Sequence, residues 1–120
     1  MSTLRDVMNE DLTTVAPGAT VAEAAQLMSV RHVGSALVME RGQLVGIFTE
    51  RDIVRALASD FDAAGHTVDG TMSRDPRTMP ADATTKEALD VMLAGGFRHL
   101  PVTDGQDVVG VVSLRDLAPR

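Results

Sequence analysis

The sequence repeats itself at a fixed spacing, and this repeat constrains the fold more than any other feature. When residues 7–53 are laid over residues 71–117 without a gap, 13 of the 47 aligned positions are identical. The clearest shared stretches are GIFTERD, which begins at Gly46, and GVVSLRD, which begins at Gly110. Self-similarity over this length predicts one supersecondary unit that is used twice.

Each copy predicts the same order of elements. A short extended piece (13–15 and 77–79) leads into a helix whose first residues fit the S/T-x-x-E capping box (20–23 and 84–87). Two β-rich runs around a glycine turn follow, and a second helix closes the unit. The unit is therefore β-α-β-β-α, and the fold class is α/β (α+β).

The last helix differs between the copies. In the first copy the helical period places Ile53, Val54 and Leu57 on one face, which we expect to be buried. In the second copy the sequence printed here stops soon after the same point, so we expect a last helix of only one or two turns.

The repeat sets the domain organisation. We assign residues 1–58 to the first repeat and 69–120 to the second, with a linker at 59–68 that is rich in small and polar residues. A unit of about 50 residues buries little core by itself. We therefore expect the two copies to pack together as one pseudo-twofold pair, with their sheets facing one another.

Composition narrows the classes of partner. The net charge of −6 disfavours nucleic acid, which is bound mainly through phosphate neutralisation. No apolar run approaches the roughly 20 residues that span a bilayer, the start shows no secretory pattern, and the chain contains no cysteine. We expect a cytoplasmic protein without membrane or nucleic-acid partners.

Signals of catalysis and of metal binding are weak. His32, His66 and His99 lie far apart and do not show the spacing of a metal-binding motif. The sequence contains no G-x-S-x-G stretch, no P-loop and no G-x-G-x-x-G stretch. We predict no catalytic residues, no metal site and no enzyme activity.

The two copies resemble a known family. The β-α-β-β-α order, the HLPVTD stretch, and the pattern of Gly, two apolar residues, Ser or Thr, two variable residues and Asp are similar to those of the CBS domain, here as a tandem pair or Bateman module. The resemblance extends from about Leu4 to Leu117. It rests on all of these features occurring twice, in order and in register.

The resemblance implies a regulatory module without catalytic activity, similar to stand-alone CBS proteins of signal-transduction type. Members of the family bind adenosine-containing ligands (AMP, ADP, ATP, S-adenosylmethionine or NAD) in the clefts between the two motifs. They commonly form homodimers and act on a protein effector, which is unknown here. No cofactor is obligatory, and an adenine nucleotide or S-adenosylmethionine is the implied ligand.

The resemblance assigns the ribose contacts to a hydroxyl and an aspartate in each copy. These residues are Thr49 with Asp52, and Ser113 with Asp116. A carboxylate accepts hydrogen bonds from ribose hydroxyls, and a helix N-terminus favours an anion. The alternative is a helix N-cap and its acidic N3 partner, which explains both copies without any ligand. The two interpretations can hold together.

The copies disagree at the position where related proteins carry basic residues that reach a ligand phosphate. The second copy has Arg98 and His99, whereas the first has Gly34 and Ser35. We therefore expect two unequal sites, with phosphate binding at the one that receives Arg98 and His99. The alternative is a solvated strand edge at which Arg98 pairs with an acidic residue.

The resemblance also assigns the first strand of each copy to an adenine pocket. The residues are Thr14 and Val15, and Thr78 and Met79. Packing at a strand edge is the alternative for all four. For the module as a whole, the alternative function is a ligand-free dimerisation or protein-interaction module.

Overall fold

The chain forms two small β-sheets with accompanying helices, in the predicted α+β class. The structure is a computed structural model that describes residues 2–59 and 62–117. In chain order the elements are α1 (Leu4–Val7), β1 (Thr14–Val15), α2 (Val21–Arg31), β2 (Ser35–Glu40), β3 (Gln43–Thr49), α3 (Glu50–Ala58), a 3-10 turn (Val68–Gly70), β4 (Ser73–Arg74), β5 (Met79–Pro80), α4 (Thr85–Gly95), β6 (His99–Asp104), β7 (Asp107–Ser113) and α5 (Leu114–Leu117).

The two sheets share one topology. The first has the strand order β1-β2-β3-β4, and the second has the order β5-β6-β7. In each sheet the first strand runs parallel to the second, which forms an antiparallel hairpin with the third. Strand β4 adds to the first sheet in antiparallel fashion. The predicted hairpin and the short extended piece of each repeat are therefore confirmed.

Local signals explain where the two longest helices begin and end. The Thr20 Oγ1 accepts the Glu23 N–H at 3.0 Å, and the Glu23 carboxylate accepts the Thr20 N–H at 3.0 Å. The same reciprocal pair joins Thr84 and Glu87 at the start of α4. Helix α4 ends before Gly96, whose φ of 71° is left-handed and suits glycine. The predicted capping boxes are confirmed.

The structure divides into two units whose bounds differ from those of the repeats. Thr13–Pro76 forms one unit, which is continuous in sequence. The other combines the described parts of Met1–Leu12 and Arg77–Arg120. We call them the first-repeat unit and the second-repeat unit, because each contains the helices and hairpin of that repeat.

Each unit has its own apolar core. The core of the first-repeat unit is formed by Val21, Ala24, Met28, Ala36, Val38, Phe48, Val68 and Met72. The core of the second-repeat unit is formed by Leu4, Ala81, Ala83, Ala88, Met92, Leu100, Val102, Val112 and Leu117.

The segment that opens each repeat packs into the unit of the other repeat. Met8, which opens the first repeat, lies against Gly110 of β7. Met72, at the matching position of the second repeat, lies against Gly46 of β3. Both contacts favour glycine, because a Cβ atom there would overlap the methionine side chain unless that side chain moved. The β-α-β-β-α pattern did not predict this exchange.

The predicted linker contributes to the first-repeat unit. Val68, at its end, is completely buried in the core. The carbonyl oxygens of Ala63 and His66 accept the N–H groups of Ala22 and Val21, which are free donors in the first turn of α2. Residues 60 and 61 of this segment lie outside the described residues.

One prediction about buried faces is wrong. Val54 and Leu57 of α3 are 65% and 61% exposed, whereas Asp52 and Ala56 are buried and Ile53 is half-buried. Residues spaced by three or four share a helix face, so burial of Asp52 and Ala56 turns Val54 and Leu57 outward. Asp52, at the start of the helix, thus lies on its buried face.

The short last helix of the second repeat is confirmed up to Leu117, and residues 118–120 lie outside the described part of the chain. The packing of the two repeats about a pseudo-twofold axis stays a prediction. Within residues 2–59 and 62–117, none of the helices has the length and apolar character needed to cross a membrane.

Candidate ligand-binding sites

The first hydroxyl–carboxylate pair lies where β3 passes into α3. Thr49 ends the strand and is the N-cap of the helix. Its N–H donates to Asp52 Oδ2 at 2.9 Å, and its Oγ1 donates to the same oxygen at 3.3 Å. Asp52 is only 5% exposed. The aspartate therefore acts as the acidic partner in capping α3.

The second pair occupies the matching corner between β7 and α5. The Ser113 N–H donates to Asp116 Oδ2 at 2.8 Å. Asp116 is exposed and Ser113 is half-buried. The same local bond thus holds a carboxylate in place in both copies, but only the second carboxylate is open to solvent.

The capping interpretation is confirmed for both aspartates, and capping uses only one oxygen of each carboxylate. Each carboxylate uses Oδ2 for the N-cap bond. In the part of the chain that the structure describes, Oδ1 of Asp52 and Oδ1 of Asp116 accept no hydrogen bond from the protein. A capping carboxylate can therefore also accept a ligand hydroxyl through its second oxygen. Ribose binding stays a prediction.

The structure brings the two predicted basic residues to the second pair. His99, the first residue of β6, is the cross-strand partner of Ser113 in β7. The carbonyl oxygen of Arg98 accepts the Leu114 N–H at 2.7 Å. Arg98 is exposed and His99 is half-buried. In the described residues the Arg98 guanidinium forms no ion pair, so the predicted pairing with an acidic residue is not seen.

The first copy has the same backbone geometry with different side chains. Ser35 is the cross-strand partner of Thr49, and the carbonyl oxygen of Gly34 accepts the Glu50 N–H at 3.1 Å. Because the Ser35 hydroxyl is uncharged and Gly34 has no side chain, this corner presents no positive charge from these positions.

The residues assigned to the adenine pocket lie on the short first strand of each sheet. Thr14 is exposed and Val15 is half-buried against the core of the first-repeat unit. Met79 is half-buried against the core of the second-repeat unit, and Thr78 precedes it. Both strands lie at a sheet edge. Val15 and Met79 therefore contribute to packing, and their role toward a ligand stays a prediction.

One polar residue near these strands was not predicted. Thr13 is buried, and its carbonyl oxygen accepts the Leu37 N–H at 2.8 Å. Its Oγ1 is the one enclosed side-chain polar atom without a hydrogen bond among the residues described. An unsatisfied buried hydroxyl costs about 1–3 kcal/mol. No sequence signal separates Thr13 from the exposed Thr14 beside it.

The residues predicted to bind a ligand form two sets, each contained within one unit. The first-repeat site consists of Thr14, Val15, Thr49 and Asp52, all within the first-repeat unit. The second-repeat site consists of Thr78, Met79, Arg98, His99, Ser113 and Asp116, all within the second-repeat unit. Across the described residues, no three histidine or carboxylate side chains are grouped so that they could hold a metal ion.

Comparison with known proteins decides the family. The model of the CBS domain matches the chain twice, over residues 4–59 and 67–119. The chain belongs to the CBS domain family. The recognition made from the repeated motifs is thereby confirmed, and the two matches follow the two repeats of the sequence rather than the two compact units.

Two curated relatives are similar to most of this chain. It is 42% identical over 107 residues to a 17.7 kDa protein of Acidianus ambivalens, covering 87% of this chain and 63% of that protein. It is 38% identical over 120 residues to the CBS domain-containing protein YhcV of Bacillus subtilis, covering 98% of this chain and 84% of YhcV. The chain thus spans less than two thirds of the first relative and most of the second.

Two solved CBS structures contain adenosine compounds. A CBS domain protein from Pyrobaculum aerophilum, complexed with AMP, is 25% identical with a TM-score of 0.91, covering 98% of this chain and 92% of that one. The CBS domain pair of protein MJ0100, in complex with 5′-methylthioadenosine and S-adenosyl-L-methionine, is 25% identical with a TM-score of 0.89, covering 98% and 93%.

Proposed function

We propose that this CBS pair is a non-catalytic regulatory module that binds an adenosine-containing ligand and signals its presence to a partner protein. One observation carries the proposal. In the second-repeat site, the exposed Asp116 carboxylate is held by the N–H of Ser113, whose cross-strand partner is His99, and the next residue, Leu114, is hydrogen-bonded to the backbone of Arg98. The adenosine compounds bound by two related CBS proteins support the choice of ligand class.

The chemistry of the second-repeat site suits a nucleotide. The Oδ1 of Asp116, which accepts no hydrogen bond from the residues that the structure describes, can accept one from a ribose hydroxyl while Oδ2 keeps its bond to the Ser113 N–H. The Arg98 guanidinium supplies planar, charged donors that match a phosphate. His99 places an imidazole ring next to Arg98 in the sequence.

The first-repeat site is the weaker candidate. Asp52 is nearly enclosed, and the neighbouring Gly34 and Ser35 supply no positive charge. We propose that a phosphorylated ligand occupies the second-repeat site, and that the first-repeat site takes at most an uncharged adenosine compound. The location of the ligand between the two motifs, which the family resemblance implies, stays a prediction.

Titration calorimetry with AMP, ADP, ATP, S-adenosylmethionine and NAD tests the proposal. We expect binding of at least one of them, weakened about tenfold or more in Asp116→Ala, because a hydrogen bond to a charged group contributes about 1.5–3 kcal/mol. Asp107→Ala is the matched control, since Asp107 is exposed at the opposite end of β7. Absence of binding by all five compounds would refute the sensor function.

A second candidate function is a ligand-free interaction module. It is favoured by the exposed apolar pair Val54 and Leu57 on α3, and by carboxylates that already serve as helix caps. Copurification of a stable partner, unchanged by nucleotides and lost in Val54→Glu, would support this function over the sensor. Partner binding that changes when AMP is added would contradict it.

A further inference from the structure

Residues 2–9, here called the strap, connect two sides of the second-repeat unit. On one side, the Leu4 N–H donates to the Ala83 carbonyl at 2.9 Å, and the Arg5 N–H donates to the Ala81 carbonyl at 3.0 Å. These carbonyls follow directly after β5, the strand that contains Met79. The strap is therefore hydrogen-bonded to the segment that continues from the predicted adenine contact.

On the other side, the strap pairs with β7. The Asn9 N–H donates to the Val111 carbonyl at 2.9 Å, and the Val111 N–H donates to the Asn9 carbonyl at 3.1 Å. The Met8 side chain lies on the adjacent Gly110. Val111 is two residues before Ser113, so the strap holds the strand that ends in the hydroxyl–carboxylate pair.

The strap also enters the core beneath the site. Leu4 is completely buried and belongs to the same apolar cluster as Leu117, the last residue of α5. Within the described residues, helix α5 is a single short turn, Leu114–Leu117, and contains Asp116. Because a helix this short has little stability of its own, its position depends on tertiary packing. Leu4 supplies part of that packing.

We propose that the strap is a positioning element of the second-repeat site, so that docking of the strap and occupancy of that site stabilise one another. This inference rests on the proposed function for its ligand, but the positioning itself is a property of the ligand-free protein. Linkage requires that, if a docked strap improves ligand binding, the ligand strengthens docking by the same factor.

The first test uses no ligand. The reporters are the Ser113 and Leu114 amides, whose partners are Asp116 and Arg98 and which make no bond to the strap. The double variant Asn9→Cys with Val111→Cys can be cross-linked by a disulfide. Residues that exchange both backbone hydrogen bonds in an antiparallel pair have Cα atoms about 5.5 Å apart, a distance that suits a disulfide. We expect exchange of both reporter amides to be about tenfold slower in the oxidised than in the reduced form.

A pair of matched substitutions gives the opposite perturbation. Leu4→Ala loosens the strap, and Val68→Ala makes the equivalent change in the first-repeat unit, where Val68 is equally buried. We expect Leu4→Ala to speed exchange at Ser113 and Leu114 about tenfold or more, and Val68→Ala to do so at Thr49 and Glu50 instead. If Leu4→Ala does not fold, the comparison of amide exchange between the oxidised and reduced forms of the disulfide variant is sufficient to test the proposal.

The second test adds AMP as the probe. We expect AMP to slow exchange of the Leu4, Arg5 and Asn9 amides in the native chain and to have no effect on them in Asp116→Ala. This response separates a positioning role from simple core packing, because packing alone would not make the strap respond to a ligand.

The outcomes separate the two proposals. Equal exchange at Ser113 and Leu114 in the oxidised and reduced forms would overturn the strap proposal whatever AMP does. AMP binding with unchanged strap amides would overturn it too, while the proposed function would stand. If AMP does not bind, the calorimetric titrations with the other four compounds test the proposed function. The exchange rates measured without ligand then test positioning by the strap.

Discussion

His99 lies directly opposite Ser113 in the β6–β7 ladder, and the pair at the same register in β2–β3 is Ser35 opposite Thr49. The two repeats thus share one backbone geometry and differ in the two residues at the start of the neighbouring strand, Gly34 and Ser35 in one and Arg98 and His99 in the other. This difference converts a shared structural corner into two chemically unequal sites.

Replacing the basic pair should remove the preference for phosphate. We expect Arg98→Gly with His99→Ser, which restores the residues of the first repeat, to weaken AMP binding about tenfold and to leave adenosine binding unchanged. Calorimetry with both compounds measures the ratio. Lys86→Ala is the control, because Lys86 is exposed and paired with Asp90 at 3.2 Å. Equal losses for AMP and adenosine would contradict a phosphate-binding role.

The two aspartates should differ in their contribution to stability. We expect Asp52→Ala to lower the free energy of unfolding by about 1–2 kcal/mol, because it removes a buried acceptor from a helix start. Asp116→Ala should cost less, since its carboxylate is exposed. Urea denaturation of both variants tests this order. A larger loss in Asp116→Ala would show that burial does not set the difference.

Replacing the glycine under Met8 or under Met72 should destabilise the protein. A Cβ atom at Gly110 would lie 2.5 Å from Met8 Sδ, and one at Gly46 would lie 2.9 Å from Met72 Cγ. We expect Gly46→Ala and Gly110→Ala each to cost about 1–3 kcal/mol of unfolding free energy. Gly18→Ala is the control, because no atom lies within 4 Å of a Cβ atom there. In a double-mutant cycle, Met72→Ala should offset part of the Gly46→Ala loss.

The exposed apolar pair on α3 should stabilise a homodimer. Val54 and Leu57 are 65% and 61% exposed, and covering them with a second copy would bury apolar surface. We expect Val54→Glu with Leu57→Glu to yield a folded monomer in sedimentation analysis where the native chain is a dimer. Gln43→Glu, an exposed change in the hairpin, should leave the dimer intact. A native monomer at micromolar concentration would refute this prediction.

Glu23 should contribute to stability only while it is ionised. Hydrogen bonds from the Thr20 backbone N–H, and secondarily its side chain, lower the pKa of Glu23 below its ordinary value. A lowered folded-state pKa means that the contribution is present above the unfolded-state value of about 4.3 and is lost as pH falls through the folded-state pKa. We expect the stability difference between the native chain and Glu23→Gln to shrink as pH falls below about 4. Glu10→Gln, at an exposed glutamate, is the control.

Some features followed from short-range patterns and were predicted correctly. The capping boxes at Thr20 and Thr84, the hairpin turns and the glycine that ends α4 each depend on residues within about four positions of one another. The repeat also predicted that the two hydroxyl–carboxylate pairs occupy matching positions in the two copies. The sequence also showed that Arg98 and His99 lack counterparts in the first copy.

Other features depend on contacts between distant residues. The sequence by itself determined two copies of one unit, their helix and strand order and their family. Only the tertiary structure decided that each opening segment completes the other unit, that Asp52 is buried while Asp116 is exposed, and that Val54 and Leu57 face outward. The physical reason is that a local period shows which residues share a face, whereas burial of that face depends on which distant segment packs against it.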